Sequence, residues 1–274
     1  LNIQVSVIIA VYNRSDYLKL VLAGFERQTL KDFEIIIADD GSNENVVKEI
    51  KNLTERYYFP ITHIWHEDKG FRKNKILNKA IISASSGFLI FIDGDCVPHR
   101  EFVREHVKYK NDAICYTGRR VNLSEKITKI LTPEKIRDGY LERELNLIPD
   151  GIFGNSYDVE KGFYFRNNFL RKYFNKKKRD LLGCNFSISK DNIMRINGFD
   201  ERYEAPSIGE DSDVQYRFEL NGIKIKSLNN IAVQYHLYHK LQERLKVNLE
   251  LFEKVKKSGL AFTQFGIEKQ SIKS

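Results

Sequence analysis

The chain predicts an α/β protein with a mostly parallel central sheet flanked by helices, and three observations carry that prediction. Short β-branched and aromatic runs alternate with helical patterns through the first half, the rhythm of strand–helix–strand units. Val5 to Val11 is a continuous run rich in β-branched residues, as expected of a strand covered on both faces. Three of the runs end abruptly in polar or acidic clusters: Asn13-Arg14, Asp39-Asp40 and Asp93-Gly94-Asp95. In a parallel sheet such ends share one edge, and ligands bind there.

Taken in order, Val5 to Val11 is a buried central strand that breaks at Tyr12. Ser15 is the expected N-cap of a helix carrying Leu18, Val21, Leu22 and Phe25 at helical spacing. Phe33 to Ala38 is the second strand, and a polar helix follows from about Asn43 to Arg56. Ile61 to Trp65 is a third strand; Phe71 to Ser83 is a helix with Ile76, Leu77, Ala80 and Ile81 on one face. Phe88 to Ile92 is the strand that delivers Asp93 and Asp95. From Arg119 to Asp180 the pattern is least regular, with a helix expected over Pro133–Leu147 and an aromatic–basic segment from Phe163 to Arg179. Leu181 reopens a strand-like stretch. Gly209-Glu210-Asp211 opens another helix, which Asn221-Gly222 closes. Ile231 to Tyr235 is a last strand delivering His236 and His239, and a basic amphipathic helix spans about Leu241 to Lys257.

The 274 residues are 42% hydrophobic and 30% charged, enough for one domain of substantial size or two small ones. No apolar run is long enough for a membrane span, and the first residues read as strand rather than as a secretory leader. The net charge of +8 favours a polyanionic partner such as nucleotide phosphates, nucleic acid or an anionic membrane. Cys96, Cys115 and Cys184 have no metal-binding spacing and cannot all pair, which suits a reducing compartment. The expected location is therefore cytoplasmic, with peripheral contact at the inner face of the membrane through the aromatic–basic segment and the last helix.

Two carboxylates around one glycine at a strand end suit a hard divalent cation and the phosphates it neutralises. In series, VSVIIAVYNR, FEIIIADDGS, FIDGDC, GCNFSIS, NGFDERY with GEDSD, and VQYHLYH resemble a bacterial family 2 glycosyltransferase of the GT-A (Rossmann-like) fold. The branch they resemble is that of chondroitin-type polymerases and β-1,4-galactosyltransferases. The similarity runs from about Val5 to His239, with residues 119–180 outside it.

The resemblance implies roles residue by residue. Asp95 is the metal-binding carboxylate of a DXD motif, with Asp93 and Gly94 at the nucleotide. Val11, Tyr12 and Arg14 form the loop against the base, and Asp39 contacts uridine. Arg72 and Asn74 line the nucleotide site. Asp211 is the general base of an inverting reaction, Glu210 holds a sugar hydroxyl, and Gly183 and Asn185 belong to the acceptor side. His236 is the further metal ligand, with His239 as its alternative.

The implied cofactor is Mn²⁺ or Mg²⁺, the donor a UDP-sugar carrying N-acetylhexosamine or galactose, and the acceptor a surface glycan or glycolipid. The expected organisation is a nucleotide-sugar half (1–118), an insertion (119–180), an acceptor and catalytic half (181–240) and a helical tail (241–274). Two alternatives stay open on the residues alone. Asp93-Gly94-Asp95-Cys96-Val97 also fits the nucleophile loop of a haloacid-dehalogenase-type phosphatase. A nucleic-acid-binding protein would explain the charge but not the carboxylates, so no nucleic acid is expected. No G-x-x-x-x-G-K-[ST] phosphate loop is present.

Overall fold

A computed structural model describes residues 2–205, 210–240 and 246–268. Its strands are β1 (Val5–Val11), β2 (Phe33–Asp39), β3 (Ile61–Trp65), β4 (Phe88–Asp93), β5 (Cys96–Pro98), β6 (Ile114–Thr117), β7 (Arg119–Asn122), β8 (Asn185–Ser189), β9 (Lys224–Ser227) and β10 (Val233–His236). The helices are α1 (Ser15–Glu26), α2 (Glu44–Thr54), α3 (Lys73–Ser83), α4 (Phe102–Lys108), α5 (Glu125–Ile130), α6 (Pro133–Arg137), α7 (Glu144–Phe153), α8 (Asn168–Phe174), α9 (Lys190–Arg195), α10 (Glu210–Leu220) and α11 (Lys246–Ser258).

The main sheet has the order β3-β2-β1-β4-β8-β6-β9, and a small second sheet has the order β5-β10-β7. β1 pairs in parallel with β2 and β4, and β2 with β3, whereas β8 runs antiparallel to both β4 and β6. The sheet is thus mostly parallel, as the sequence predicts. Side chains alternate across β1: Val5, Val7, Ile9 and Val11 join one core cluster with α1, while Ile8 joins a second with Ile76, Leu77, Ala80 and Ile81 of α3. That alternation makes three layers, helix–sheet–helix.

Register aligns the chemistry. Val11 lies opposite Asp39, Asp39 opposite Trp65, and Ala10 opposite Asp93. The three acidic or polar turns therefore open on one edge. Because β8 is antiparallel to β4, with Ile92 opposite Asn185, the turn that enters β8 reaches that same edge. Phe91 and Phe186 stack across this pair at 4.5 Å.

Three local expectations change, and one lies outside the described residues. Arg14, not Ser15, is the N-cap of α1 and makes no side-chain cap bond; the Ser15 hydroxyl instead donates to Glu49 at 2.6 Å. The helix expected over Pro133–Leu147 is broken at Gly139, whose φ of 77° is left-handed, so α6, a 3₁₀ turn and α7 replace it. The strand expected from Leu181 begins only at Asn185, the intervening residues forming a turn. Gly209 and the start of the C-terminal helix, Leu241 to Leu245, lie outside the described residues; α11 follows from Lys246. Residues 119–180 pack onto the rest of the fold: β7 pairs with β10, and Arg171 makes a bidentate pair with Glu105 at 2.8 Å on each arm. No helix among the described residues is long and apolar enough to cross a membrane.

Candidate active site

A cleft of about 780 Å³ opens at the carboxyl edge of β1 and β4, lined by Val11, Tyr12, Arg14, Asp40, Lys73, Asp93, Gly94, Asp95 and His239 among others. Gly94 is required there by close approach rather than by turn geometry. Its N–H donates to the Ala10 carbonyl at 2.8 Å, and a Cβ would lie 2.8 Å from Val11 Cγ2 and 2.9 Å from that carbonyl. Tyr12 is half exposed and donates to Asp68 at 2.9 Å. Arg14 pairs with Asp16 at 3.0 Å and stacks on Tyr17. Asn13, at a left-handed φ of 51°, is laced to Ser42 and Asn43, so the first two turns are held as one rim.

One corner of the cleft has the chemistry of a metal site. Asp95, His236 and His239 offer ligand atoms that all lie within 4.8 Å of one another. The small sheet builds this corner: His236 lies opposite Cys96, and the Leu237 N–H donates to the Asp95 carbonyl at 2.8 Å. Asp95 Oδ2 is 3.4 Å from His236 Nε2 and 3.2 Å from His239 Nε2.

His239 Nδ1 lies 3.0 Å from the Lys240 carbonyl, which can only accept, so Nδ1 carries a proton and neutral His239 presents the Nε2 lone pair. Lone pairs of Asp95 and His239 then face each other and need a proton or a cation between them. In the protein alone the Asp95 hydrogen bond favours a proton there, drawing the His239 pKa up against its burial. Although burial opposes it, the two imidazoles hold the Asp95 carboxyl well below the usual carboxylate range. A carboxylate with two imidazoles fits Mn²⁺ better than Mg²⁺. Both rings of the His236 and His239 alternative converge on this corner.

A second corner, at Lys73 and Asp93 of the cleft wall, collects three carboxylates around one ammonium. Lys73 Nζ is 3.0 Å from Asp93 Oδ1 and 3.2 Å from Glu210 Oε1. Burial works against its charge, but Asp93, Glu210 and Asp211 hold it well above the usual lysine range. Burial also pushes Glu210 up to about 7, with Lys73 pulling the other way; Asp211 is raised for the same reason. Asp211 Oδ2 accepts the Gly183 N–H at 2.8 Å, and a Cβ on Gly183 would lie 2.1 Å from Asp211 Oδ1. Gly183 is therefore glycine because the carboxylate needs its space. Glu210 Oε2 is buried and has no hydrogen-bond partner among the described residues, an acceptor left over for a substrate hydroxyl. Asp213 turns away to Arg217 at 2.9 Å.

Four expected site residues are not brought to the cleft. Asp39 is fully buried, accepting from the Ser42 N–H and pairing with His63 at 2.9 Å; its neighbour Asp40 lines the cleft instead. Asn74 is buried and donates to the Asp200 carbonyl at 2.8 Å, pinning α3 to the following half. Asn185 is fully buried, donating to the Arg119 and Ala232 carbonyls and accepting from His106, so it shapes the turn that carries Gly183. Arg72 does not line the cleft either; its backbone N–H secures Asp40 at 2.9 Å.

Two residues of the site were missed. Lys73 stands between Arg72 and Asn74, and the helical phase that turns Asn74 inward turns it into the cleft. Arg120 donates to Cys184 at 3.2 Å and, against its burial, keeps its charge facing Cys184, Cys96, Asp95 and Asp93. Nothing in the periodicity marks it, because β7 is only four residues long.

A parallel sheet bearing carboxylates, a metal corner and an apposed acidic helix start at one edge defines a GT-A glycosyltransferase. The chain belongs to glycosyl transferase family 2, whose family model matches residues 6–192. A second model, the N-terminal domain of galactosyltransferase, matches residues 166–240. Among curated relatives, chondroitin synthase of Escherichia coli is 26% identical over 84% of this chain and 34% of its own length. Chondroitin synthase of Pasteurella multocida is 24% identical over 86% of this chain and 25% of its own length. The chain thus spans about a third or less of these relatives.

Among solved structures, S. aureus TarS in complex with UDP-GlcNAc has a TM-score of 0.61 at 16% identity, covering 94% of this chain and 65% of that one. GalNAc-T7 with UDP, GalNAc and Mn²⁺ has a TM-score of 0.65 at 15% identity, covering 93% and 48%. Family membership sets aside the phosphatase and nucleic-acid-binding alternatives.

Proposed function

We propose that this glycosyltransferase moves a sugar from a UDP-sugar to a hydroxyl of a glycan or glycolipid acceptor with inversion, assisted by Mn²⁺. The observation that carries this reading is the pairing of two corners on one edge: Asp95, His236 and His239 opposite Asp211, Glu210 and Lys73. N-acetylhexosamine or galactose is the donor sugar we favour, supported by relatives named chondroitin synthase and by structural neighbours solved with UDP-GlcNAc and with UDP, GalNAc and Mn²⁺.

Asp95, His236 and His239 would hold the metal. Bound there, a divalent ion supplies Lewis-acid stabilisation of the charge that develops on the leaving diphosphate. The chain's own residues do the rest. The Asp211 carboxylate, fixed by the Gly183 N–H, takes the proton from the acceptor hydroxyl as it attacks the anomeric carbon. Glu210 accepts from a sugar hydroxyl through its unpartnered Oε2. Lys73 holds Asp93 and Glu210 in place and opposes the burial-driven rise of the Glu210 and Asp211 carboxyls.

The test is thermal denaturation with UDP, GDP or CMP, each with and without Mn²⁺. Stabilisation by UDP that requires Mn²⁺ is expected; a ligand at a hundredfold over its Kd adds about 2.7 kcal/mol. No response to any nucleotide would overturn the reading, and a response to GDP or CMP alone would replace the donor.

A further inference from the structure

A second cavity, of about 1000 Å³, lies away from the donor cleft, and its lining is strongly basic. Lys172 of α8 and Lys176, Lys177 and Lys178 beyond it share this cavity with Lys224 and Lys226 of β9. Only Lys178 is neutralised, by Glu219 at 2.9 Å; the other five make no ion pair among the described residues. Six ammonium groups around one concavity repel one another and focus a positive potential into it. Lysines on an edge strand also discourage pairing with other chains. That role accounts for Lys224 and Lys226 on β9, the last strand of the sheet, but not for the four lysines that share their cavity.

Its position identifies the occupant. The donor cleft opens at β1 and β4, whereas this groove lies beyond β8, at β6 and β9. α10 joins the two sites, starting at Glu210 and Asp211 and bringing Glu219 to the groove wall. Eight residues of helix place the groove about 12 Å from the base. The chain from Lys178 to Gly183 covers the same gap and can span at most about 18 Å. A linear acceptor whose terminal hydroxyl meets Asp211 would place its preceding sugars in reach of the lysines.

We propose that this groove binds the already polymerised part of the acceptor, and that this part is a polyanionic saccharide chain. The inference rests on the glycosyltransferase reading and names the acceptor class it implies. A concave, two-walled cavity suits a linear chain; a flat membrane could not touch both walls. Exposed Phe169 and Tyr173 on nearby α8 make an anionic membrane the rival occupant.

The experiment uses the full chain and four probes: a labelled octasaccharide of alternating glucuronate and N-acetylglucosamine, neutral maltooctaose, a single-stranded oligonucleotide, and vesicles of phosphatidylcholine with phosphatidylserine. Two charge-reversed pairs are compared, Lys224→Glu with Lys226→Glu and Lys172→Glu with Lys176→Glu, together with the glutamine version of the β9 pair as a folding control. The anionic octasaccharide should bind with salt-sensitive affinity, maltooctaose should not, and each charge-reversed pair should weaken binding at least about tenfold. Stabilisation by UDP and Mn²⁺ should be unchanged in every variant. Octasaccharide binding that is absent, or indifferent to both pairs, overturns the proposal. So does tighter, lysine-dependent binding of vesicles or oligonucleotide. If UDP and Mn²⁺ fail to stabilise the wild type, the glycosyltransferase reading falls and takes this inference with it; if they succeed while the octasaccharide does not bind, only the inference falls.

Discussion

The two corners of the cleft solve the same electrostatic problem in different ways. At the metal corner a single carboxylate, Asp95, faces two imidazoles, and the positive charge that would balance it is exchangeable: a proton, which Asp95 favours on His239, or the divalent ion we propose. At the base corner three carboxylates face Lys73, a cation built into the chain. The exchangeable corner can respond to the arrival of a diphosphate. The fixed corner keeps Asp211 and Glu210 together before any substrate is present. The transfer we propose uses both, because charge develops on the leaving group during reaction, whereas the base must already be deprotonated at the start.

The largest expected effects separate chemistry at the base corner from binding. Asp211→Asn should lower kcat on the order of 10²–10⁴-fold while leaving Mn²⁺-dependent UDP stabilisation nearly intact. Loss of UDP binding in that variant would mean the two corners are not separable. Gly183→Ala should behave similarly, since its Cβ would occupy the space of the Asp211 carboxylate, and unaltered kcat would show that the carboxylate can move without consequence. At the metal corner, His236→Ala and His239→Ala should each weaken Mn²⁺ binding at least about tenfold, read by electron paramagnetic resonance of the free ion. If only one does so, the site has a single imidazole ligand and the convergence of the two rings is incidental.

The two corners also differ in how far the sequence exposed them. The donor edge was legible because β1, β2 and β4 are six or seven residues long and mostly apolar, broken only by Ser6 and Glu34 before their polar ends, and each ends in a chemical signature. β5, β6, β7 and β9 are three or four residues long, too short for periodicity to rise above its neighbours. Arg120 and the pairing of His236 with Cys96 were therefore hidden. Motif reading also cannot tell which of two adjacent residues faces a cleft. It named Asp39, Arg72 and Asn74, where the fold presents Asp40 and Lys73. Asn74 and Asn185 look like site residues because they are polar in motif positions, yet each pays for its burial by binding carbonyls that hold the two halves together.

A smaller effect sharpens the contrast between fixed and exchangeable charge. Lys73→Met removes the cation that opposes the burial-driven rise of Asp211. The base should then need a higher pH to ionise, so the acidic limb of the kcat–pH profile should move up by about one pH unit. The plateau at higher pH should be less affected. An unmoved limb would assign Lys73 to packing alone.

The smallest effect is on stability, and it comes from Glu210. Its carboxyl is raised from 4.5 to about 7 in the folded chain, chiefly by burial. Between these values the folded state binds a proton that the unfolded state has released, so this group stabilises the fold below the lower value. That contribution is lost as pH rises through the upper one. The ligand-free protein should therefore lose a few degrees of Tm across that window on account of Glu210, and Glu210→Gln should flatten this part of the slope. Asp95 is shifted the opposite way, so its contribution is retained at neutral pH and lost only in acid, as the pH falls through its depressed pKa. Differential scanning fluorimetry of Glu210→Gln and Asp95→Asn against pH, without nucleotide or metal, would resolve the two signs. Parallel slopes in wild type and Glu210→Gln would mean that Lys73 neutralises Glu210 completely, making the base corner as balanced as the metal corner becomes when loaded.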